Sequence, residues 1–172
     1  ANRYGLRNGG TITTISNSGT ISADSNYAIS NTGSIGTFTN TGSITPTGNT
    51  GISNQGSITT FNNSQGKSGS NPVTFIKSLP TNYNVIVNST SDYGQIEFSS
   101  ISGNTSLNFD VYSTSTLAGS TTYSSVLSGL SSSEIASGTS GSYVSGSSRK
   151  DWTLSNSSGS LWDLVVAADQ DI

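Results

Sequence analysis

The pattern Ile/Leu/Phe-x-Asn-x-Gly-x-Ile occurs six times within residues 1–66, the sixth copy imperfectly, and its spacing alternates between nine and fourteen residues. The asparagines fall at Asn8, Asn17, Asn31, Asn40, Asn54 and Asn63. Every second copy lies 23 residues on, so Asn8, Asn31 and Asn54 form one series and Asn17, Asn40 and Asn63 the other. A strict two-part period of this length predicts a solenoid with one repeat per coil. Such a period constrains architecture strongly and chemistry hardly at all.

Alignment at 23 residues gives apolar columns. Leu6, Ile29 and Ile52 share one, Ile12, Ile35 and Ile58 a second, Ile15, Phe38 and Phe61 a third, and Ile21 lies over Ile44. An extended chain points residues of equal parity to one side, so Ile15, Asn17, Gly19 and Ile21 are expected inward and Ser16, Ser18 and Thr20 outward. In parallel strands about 4.8 Å apart, a buried Asn finds both donor and acceptor in the identical Asn one coil away. The six asparagines are therefore read as two structural amide ladders. The glycine two residues later suits a corner, where a positive φ is allowed and a Cβ would crowd the turn. Apolar residues held in register across three coils also set the chain apart from a disordered Ser/Asn/Gly linker.

Only Thr13 and Thr14 separate Ile12 from Ile15, enough for a tight bend, whereas Ile21 to Ile29 and Ile44 to Ile52 enclose longer loops carrying Asp24, Pro46 and Asn49. At the sixth copy Gln65 takes the glycine position and Lys67 stands where an Ile is due. The Gly/Ser-rich stretch from Gln65 to Pro72 predicts a boundary, with solenoid coils over 1–66 and a β-rich capping region over 67–172. Tyr83 to Val87, Gln95 to Ile101 and Ser106 to Tyr112 are strand candidates, and Trp152 to Leu154 with Leu161 to Val166 a hairpin. Tyr123 to Ala136 fits a short helix or a strand. The open end of a coil stack exposes apolar rows and unpaired backbone, which a denser aromatic region can cover. Tyr83, Tyr93, Trp152 and Trp162 are the expected capping and folding aromatics. The fold class is all-β: a right-handed parallel β-helix of 23-residue coils with a β-rich C-terminal cap.

Composition narrows the chemistry. The 172-residue chain contains no Cys, Met or His, which removes disulfides, thiol nucleophiles, imidazole bases and the commonest zinc ligands. Charged residues make up 9% of the chain, against about 25% in an ordinary domain. With a net charge of −3 and no basic stripe, nucleic acid is not an expected partner. No apolar run is long enough for a membrane-spanning helix. The first residue is Ala, with no charged leader or apolar signal core, so the chain reads as processed or as a fragment. No nucleophile elbow or phosphate loop occurs, and an activated Ser would need one of Lys67, Lys77 or Lys150. Asp24 is the sole acid of the coils. Asp92, Glu97 and Asp110 are not forced together by their spacing. No catalytic residue, cofactor or metal site is expected, and the chain is read as no enzyme.

The segments LPTNYNVIVNSTSDYGQIEF (Leu79 to Phe98), TTYSSVLSGL (Thr121 to Leu130) and SLWDLVV (Ser160 to Val166) resemble the C-terminal end of autotransporter passengers of Gram-negative type V secretion. The upstream N-T-G-S-I repeats are similar to those of large repeat-rich passengers. The resemblance implies a right-handed β-helix at the bacterial outer surface, and a C-terminal region that folds first and templates the coils behind it. It also implies an outer-membrane β-barrel of the same precursor as partner. The chain stops at Ile172 without linker helix or barrel, and carries no asparagine pair near its end like the cleavage junction of the autotransporter proteases. The implied role is display, adhesion to a host or cell-surface ligand, or self-association. Two alternatives come from the outward faces. One is a self-assembling fibre or sheath subunit. The other is an ice-binding solenoid, for which the rows Thr11, Ser34, Ser57 and Thr13, Gly36, Thr59 stand in for a T-x-T face.

Overall fold

A computed structural model describes residues 2–48, 50–69 and 71–172; Asn49, expected in a loop, lies outside them. The chain winds into a parallel β-solenoid of about five turns with coils of roughly 23 residues. Each of the first two coils has three strands. Coil 1 is Leu6–Asn8, Thr11–Asn17 and Thr20–Ala23, and coil 2 is Ile29–Asn31, Ser34–Asn40 and Ser43–Pro46. Equivalent strands stack in parallel at an offset of 23: Leu6 on Ile29, Ile15 on Phe38, Ile21 on Ile44. Coil 3 repeats the register with Ile29 on Ile52 and Phe38 on Phe61. The apolar columns are thus those the 23-residue alignment gives.

The local reasons are short-range. Inward and outward residues alternate, except that Thr13 and Thr14 both face out within the single strand Thr11–Asn17. The bend expected there is a lapse in parity, and no strand break occurs. The glycines meet half of the expectation, the crowding of a Cβ, and depart from the rest. Gly19 sits outside at the corner, exposed, and none of the repeat glycines has positive φ. They are required by close approach. A Cβ on Gly33 would fall on the carbonyl of Gly10, one on Gly42 on that of Gly19, and one on Gly56 on that of Gly33. Stacking a tight corner on an identical corner leaves no room for a side chain.

The expected boundary at residue 66 does not interrupt the stack. Val73–Lys77 pairs in parallel with Ile52–Asn54, placing Phe75 on Ile52, and Asn82–Val85 pairs with Ser57–Asn63, placing Tyr83 on Phe61. A further coil follows, with Ile96–Ile101 on Val73–Lys77 and Leu107–Val111 on Asn82–Val85. The offset is 23 from Val73 to Ile96 but 26 from Tyr83 to Phe109, so the later coils keep the stacking while losing the sequence period. Only the third side ends early: Thr20–Ala23 and Ser43–Pro46 form a two-stranded sheet of their own. From Gln65 to Pro72 the chain leaves the motif and rejoins the stack on its first side.

Pairing changes sense at Thr121–Ser128, the segment that the sequence leaves open between helix and strand. This strand lies parallel to Ile96–Ile101 on one edge and antiparallel to Leu161–Val166 on the other. Ser148–Ser158 and Ser140–Ser145 continue the antiparallel order. Only Ser132–Glu134 makes a 3₁₀ turn, closed by Glu134 accepting from the Ser131 backbone at 2.7 Å. The cap proper is therefore residues 121–171.

The corner packing predicts an asymmetry between equivalent glycines. Gly42→Ala should lower stability by about 1–3 kcal/mol through overpacking, whereas Gly19→Ala, whose added Cβ meets nothing within 4 Å, should be near neutral. Paired urea titrations measure the difference; equal midpoints for the two variants would remove the close-approach explanation.

Candidate functional site

The residues singled out by the sequence lie in the interior. Asn8 donates from Nδ2 to Asn31 Oδ1 at 2.8 Å, and Asn31 to Asn54 Oδ1 at 2.7 Å. In the second ladder Asn17 donates to Asn40 at 2.8 Å and Asn40 to Asn63 at 3.0 Å. The second amide hydrogen goes to the backbone of the next corner, as from Asn31 to the Ser57 carbonyl at 3.1 Å. The oxygen also holds its own corner, with Asn8 and Asn17 accepting from the N–H two residues on. Both ladders therefore run one way, with every Nδ2 donating toward the C-terminal coil. All six are buried.

Each ladder ends on a substitute. Below Asn54 the 23-residue equivalent is Lys77, and Asn54 donates instead to the Ser78 carbonyl at 2.8 Å. Asn63 donates to the Gln65 carbonyl at 3.0 Å and the Gln95 carbonyl at 3.3 Å, while the Gln65 side chain, set against Ile44, does the work of a missing strand. Its Oε1 accepts from Ile44 N at 2.7 Å and from Asn40 Nδ2 at 3.2 Å, while its Nε2 donates to the Ile44 carbonyl at 3.2 Å and the Asn71 carbonyl at 2.9 Å. One side-chain amide thus satisfies the backbone edge that the third coil leaves uncovered, as a peptide group would. The position where the motif fails is the position that closes the third sheet.

The aromatics form a column rather than a cap alone. Ring centroids are 5.0 Å apart for Phe38 and Phe61, 5.8 Å for Phe61 and Tyr83, 6.3 Å for Tyr83 and Phe109, and 5.7 Å for Phe109 and Trp152. Tyr83, expected in the cap, is fully buried mid-column because it takes the place of Phe61 one coil on. Its hydroxyl accepts from Asn63 Nδ2 at 3.4 Å, and burial raises its pKa. Tyr93 fixes the cap to the coils: its hydroxyl donates to the Ser124 carbonyl at 3.2 Å and accepts from Ser124 N at 3.1 Å. Burial also raises its pKa. Trp152 ends the column, and Trp162 donates from Nε1 to the Leu130 carbonyl at 2.9 Å.

On the outward side of the strands, several amides and hydroxyls bond to one another across coils, Asn62 among them although it is buried. Asn84 donates to Asn62 and Asn62 to Thr39, at 2.8 and 2.9 Å. Ser137 donates to Asn108 Oδ1 at 2.7 Å. An open groove of about 630 Å³ runs beside these ladders, lined by Asn82, Asn84, Asn108, Asp110 and Ser142. Trp152 lies beneath it, 3% exposed, with Gly141 against its ring, so the groove offers amides and hydroxyls but little aromatic face. On the cap hairpin Asp151 is held below the usual carboxylate range by the Ser142 hydroxyl at 2.6 Å and then by Arg149 at 2.9 Å.

Asp92, Glu97 and Asp110 belong to three different sheets. Among the described residues no group of three or more His, Cys, Asp or Glu is placed to hold a metal, and no helix is long and apolar enough to cross a membrane. Lys150 pairs with Asp169 at 3.4 Å. The row Thr11, Ser34, Ser57 stacks in register, whereas Thr13, Gly36 and Thr59 fall where the strand pairing lapses, so the two rows do not form one flat hydroxyl array. No family model, no curated protein and no solved structure matches the chain.

Two substitutions measure the amide network. Asn31→Leu removes the donor to Asn54 Oδ1, and Gln65→Leu strands the Ile44 N–H and carbonyl; about 1–3 kcal/mol is expected for each buried group left without a partner. Ser18→Ala, on an exposed corner, should stay within about 0.5 kcal/mol. Thermal melts of the three variants beside the parent check the order; an Asn31→Leu or Gln65→Leu melt indistinguishable from that of Ser18→Ala would mean the amides contribute nothing.

Proposed function

We propose that the chain is a non-enzymatic segment of a surface-displayed passenger of the autotransporter kind. Its coils hold hydroxyl and amide faces outward for display, adhesion or lateral self-association, at the bacterial outer surface, and its barrel partner is the outer-membrane domain of the same precursor. Its C-terminal region is the folding template. The observation that carries this reading is the inequality of the two ends. The C-terminal end is closed by antiparallel strands that bury Trp152, Leu154, Trp162, Leu164 and Val166. In coil 1, Leu6, Ile12, Ile15 and Ile21 stay only partly buried.

Within the cap the hairpins of Ser140–Ser145, Ser148–Ser158 and Leu161–Val166 gain their contacts at short sequence separation, whereas a coil depends on the coil beside it. A chain emerging at a surface is served by such an order, because each new coil adds to an edge already formed. The same cap closes the end through which head-to-tail fibre growth would run. Self-association then runs through the polar faces.

Pulse-labelled hydrogen exchange during refolding of the full chain tests the template role. Amides of Trp152, Leu154 and Leu164 should gain protection before those of Ile35 and Phe38; the reverse order would remove it. The class itself is tested by the encoding gene. A downstream run of strands with alternating apolar faces, sized for a membrane barrel, supports it, and an isolated cytosolic reading frame ends it.

A further inference from the structure

Coil 2 shows what the N-terminal face of a coil requires. Its Ile29, Ile35, Phe38 and Ile44 are at most 2% exposed because coil 1 lies over them. The backbone N–H groups of Thr32, Ser34, Thr41 and Ser43 donate across to the carbonyls of Asn8, Gly10, Asn17 and Gly19, at 2.8 to 2.9 Å. Asn31 and Asn40 accept through Oδ1 from the amides of coil 1.

Coil 1 presents the same face at positions 23 lower, and none of the described residues forms a strand over it. Leu6, Ile12, Ile15 and Ile21 are only partly buried. The N–H groups equivalent to those four donors belong to Gly9, Thr11, Ser18 and Thr20, all exposed. Among the described residues Asn8 and Asn17 accept through Oδ1 from their own corners, from the N–H groups of Gly10 and Gly19, and from no amide on the other side. The segment Asn2–Gly5 does not fill the place. It runs beside Asp24–Ala28, with Asn2 N donating to Asp24 Oδ2 at 2.9 Å and Asn26 donating to the Tyr4 hydroxyl at 3.2 Å.

We propose that the N-terminal face of coil 1 is a docking surface for one further coil of the same Asn-x-Gly repeat, laid on in the parallel sense. The ladder polarity selects this occupant. A parallel coil of the repeat presents Nδ2 on its C-terminal side, where Asn8 and Asn17 need a donor. It also presents corner carbonyls opposite the N–H groups of Gly9, Thr11, Ser18 and Thr20. A second copy of this chain does not fit. Its own N-terminal face would set amide oxygens against amide oxygens, and its C-terminal end is covered by the cap. Neither the surface location nor the template role enters this inference, and its test is separate from theirs.

The experiment inserts a second copy of residues 6–28 directly after Gly5 in the full chain and follows amide exchange by NMR. In the extended chain Gly9, Thr11, Ser18 and Thr20 (parent numbering) should exchange about tenfold more slowly or better. Unchanged protection of the Phe38 and Phe61 amides shows that the host has kept its fold. An insert carrying Asn8→Leu and Asn17→Leu in the added copy should lose most of that protection. Unchanged exchange of the four amides on insertion overturns the proposal, as does equal protection by the leucine insert, which would mean that shape alone is recognised. Concentration-dependent protection of the same amides in the parent, with a dimer mass in sedimentation, would make the occupant a second copy and overturn it equally.

Discussion

A carboxamide buried in a coil must find acceptors for both its N–H bonds and a donor for its oxygen within a strand spacing, and in this molecule that requirement ties the coils together. Asn31 meets it by taking a hydrogen bond from Asn8, giving one to Asn54 and giving another to the Ser57 carbonyl. Each partner lies one coil away, so a change of coil length by one residue would break the ladder and turn inward residues out together. The strictness of the 23-residue period through the first three coils, beside its decay afterwards, follows. Where no Asn ladder remains, the offset drifts from 23 to 26 without ending the stack.

Beyond the ladders, aromatic packing takes over as the continuous element. The column from Phe38 to Trp152 passes through Phe61, Tyr83 and Phe109 at separations between 5.0 and 6.3 Å. Tyr83 joins the two systems, its ring in the column and its hydroxyl under Asn63. Rings tolerate changes in coil length better than amides do, because their packing is broad in angle while a hydrogen bond is narrow. The stack can therefore pass from a polar interior spine to an aromatic one and then to antiparallel strands.

The hydroxyl-rich exterior fits a chain whose two ends differ. Outward amides and hydroxyls pair along the stack, as from Asn84 through Asn62 to Thr39, which ties the coils without adding charge. At the C-terminal end the cap strands bury Trp152, Leu154, Trp162, Leu164 and Val166, while the apolar residues of coil 1 stay partly exposed.

The sequence by itself determined the coil length, the three inward columns and the identity of both amide ladders, since a 23-residue period leaves no other partner for a buried Asn. It also located the hairpin of Leu161–Val166 with the strand before it. It misplaced the boundary, because Gln65 and Lys67 read as failures of a motif. Only the tertiary structure decided that Gln65 turns its side chain into a strand substitute, an event with no period to announce it. Likewise, the repeat glycines read as turn formers, yet what excludes a Cβ is the carbonyl of the coil above, a neighbour 23 residues away. Tyr83 read as a capping ring, and an offset of 22 from Phe61 made it core. Periodicity records contacts that repeat; substitutions that occur once are settled by whatever the fold brings beside them.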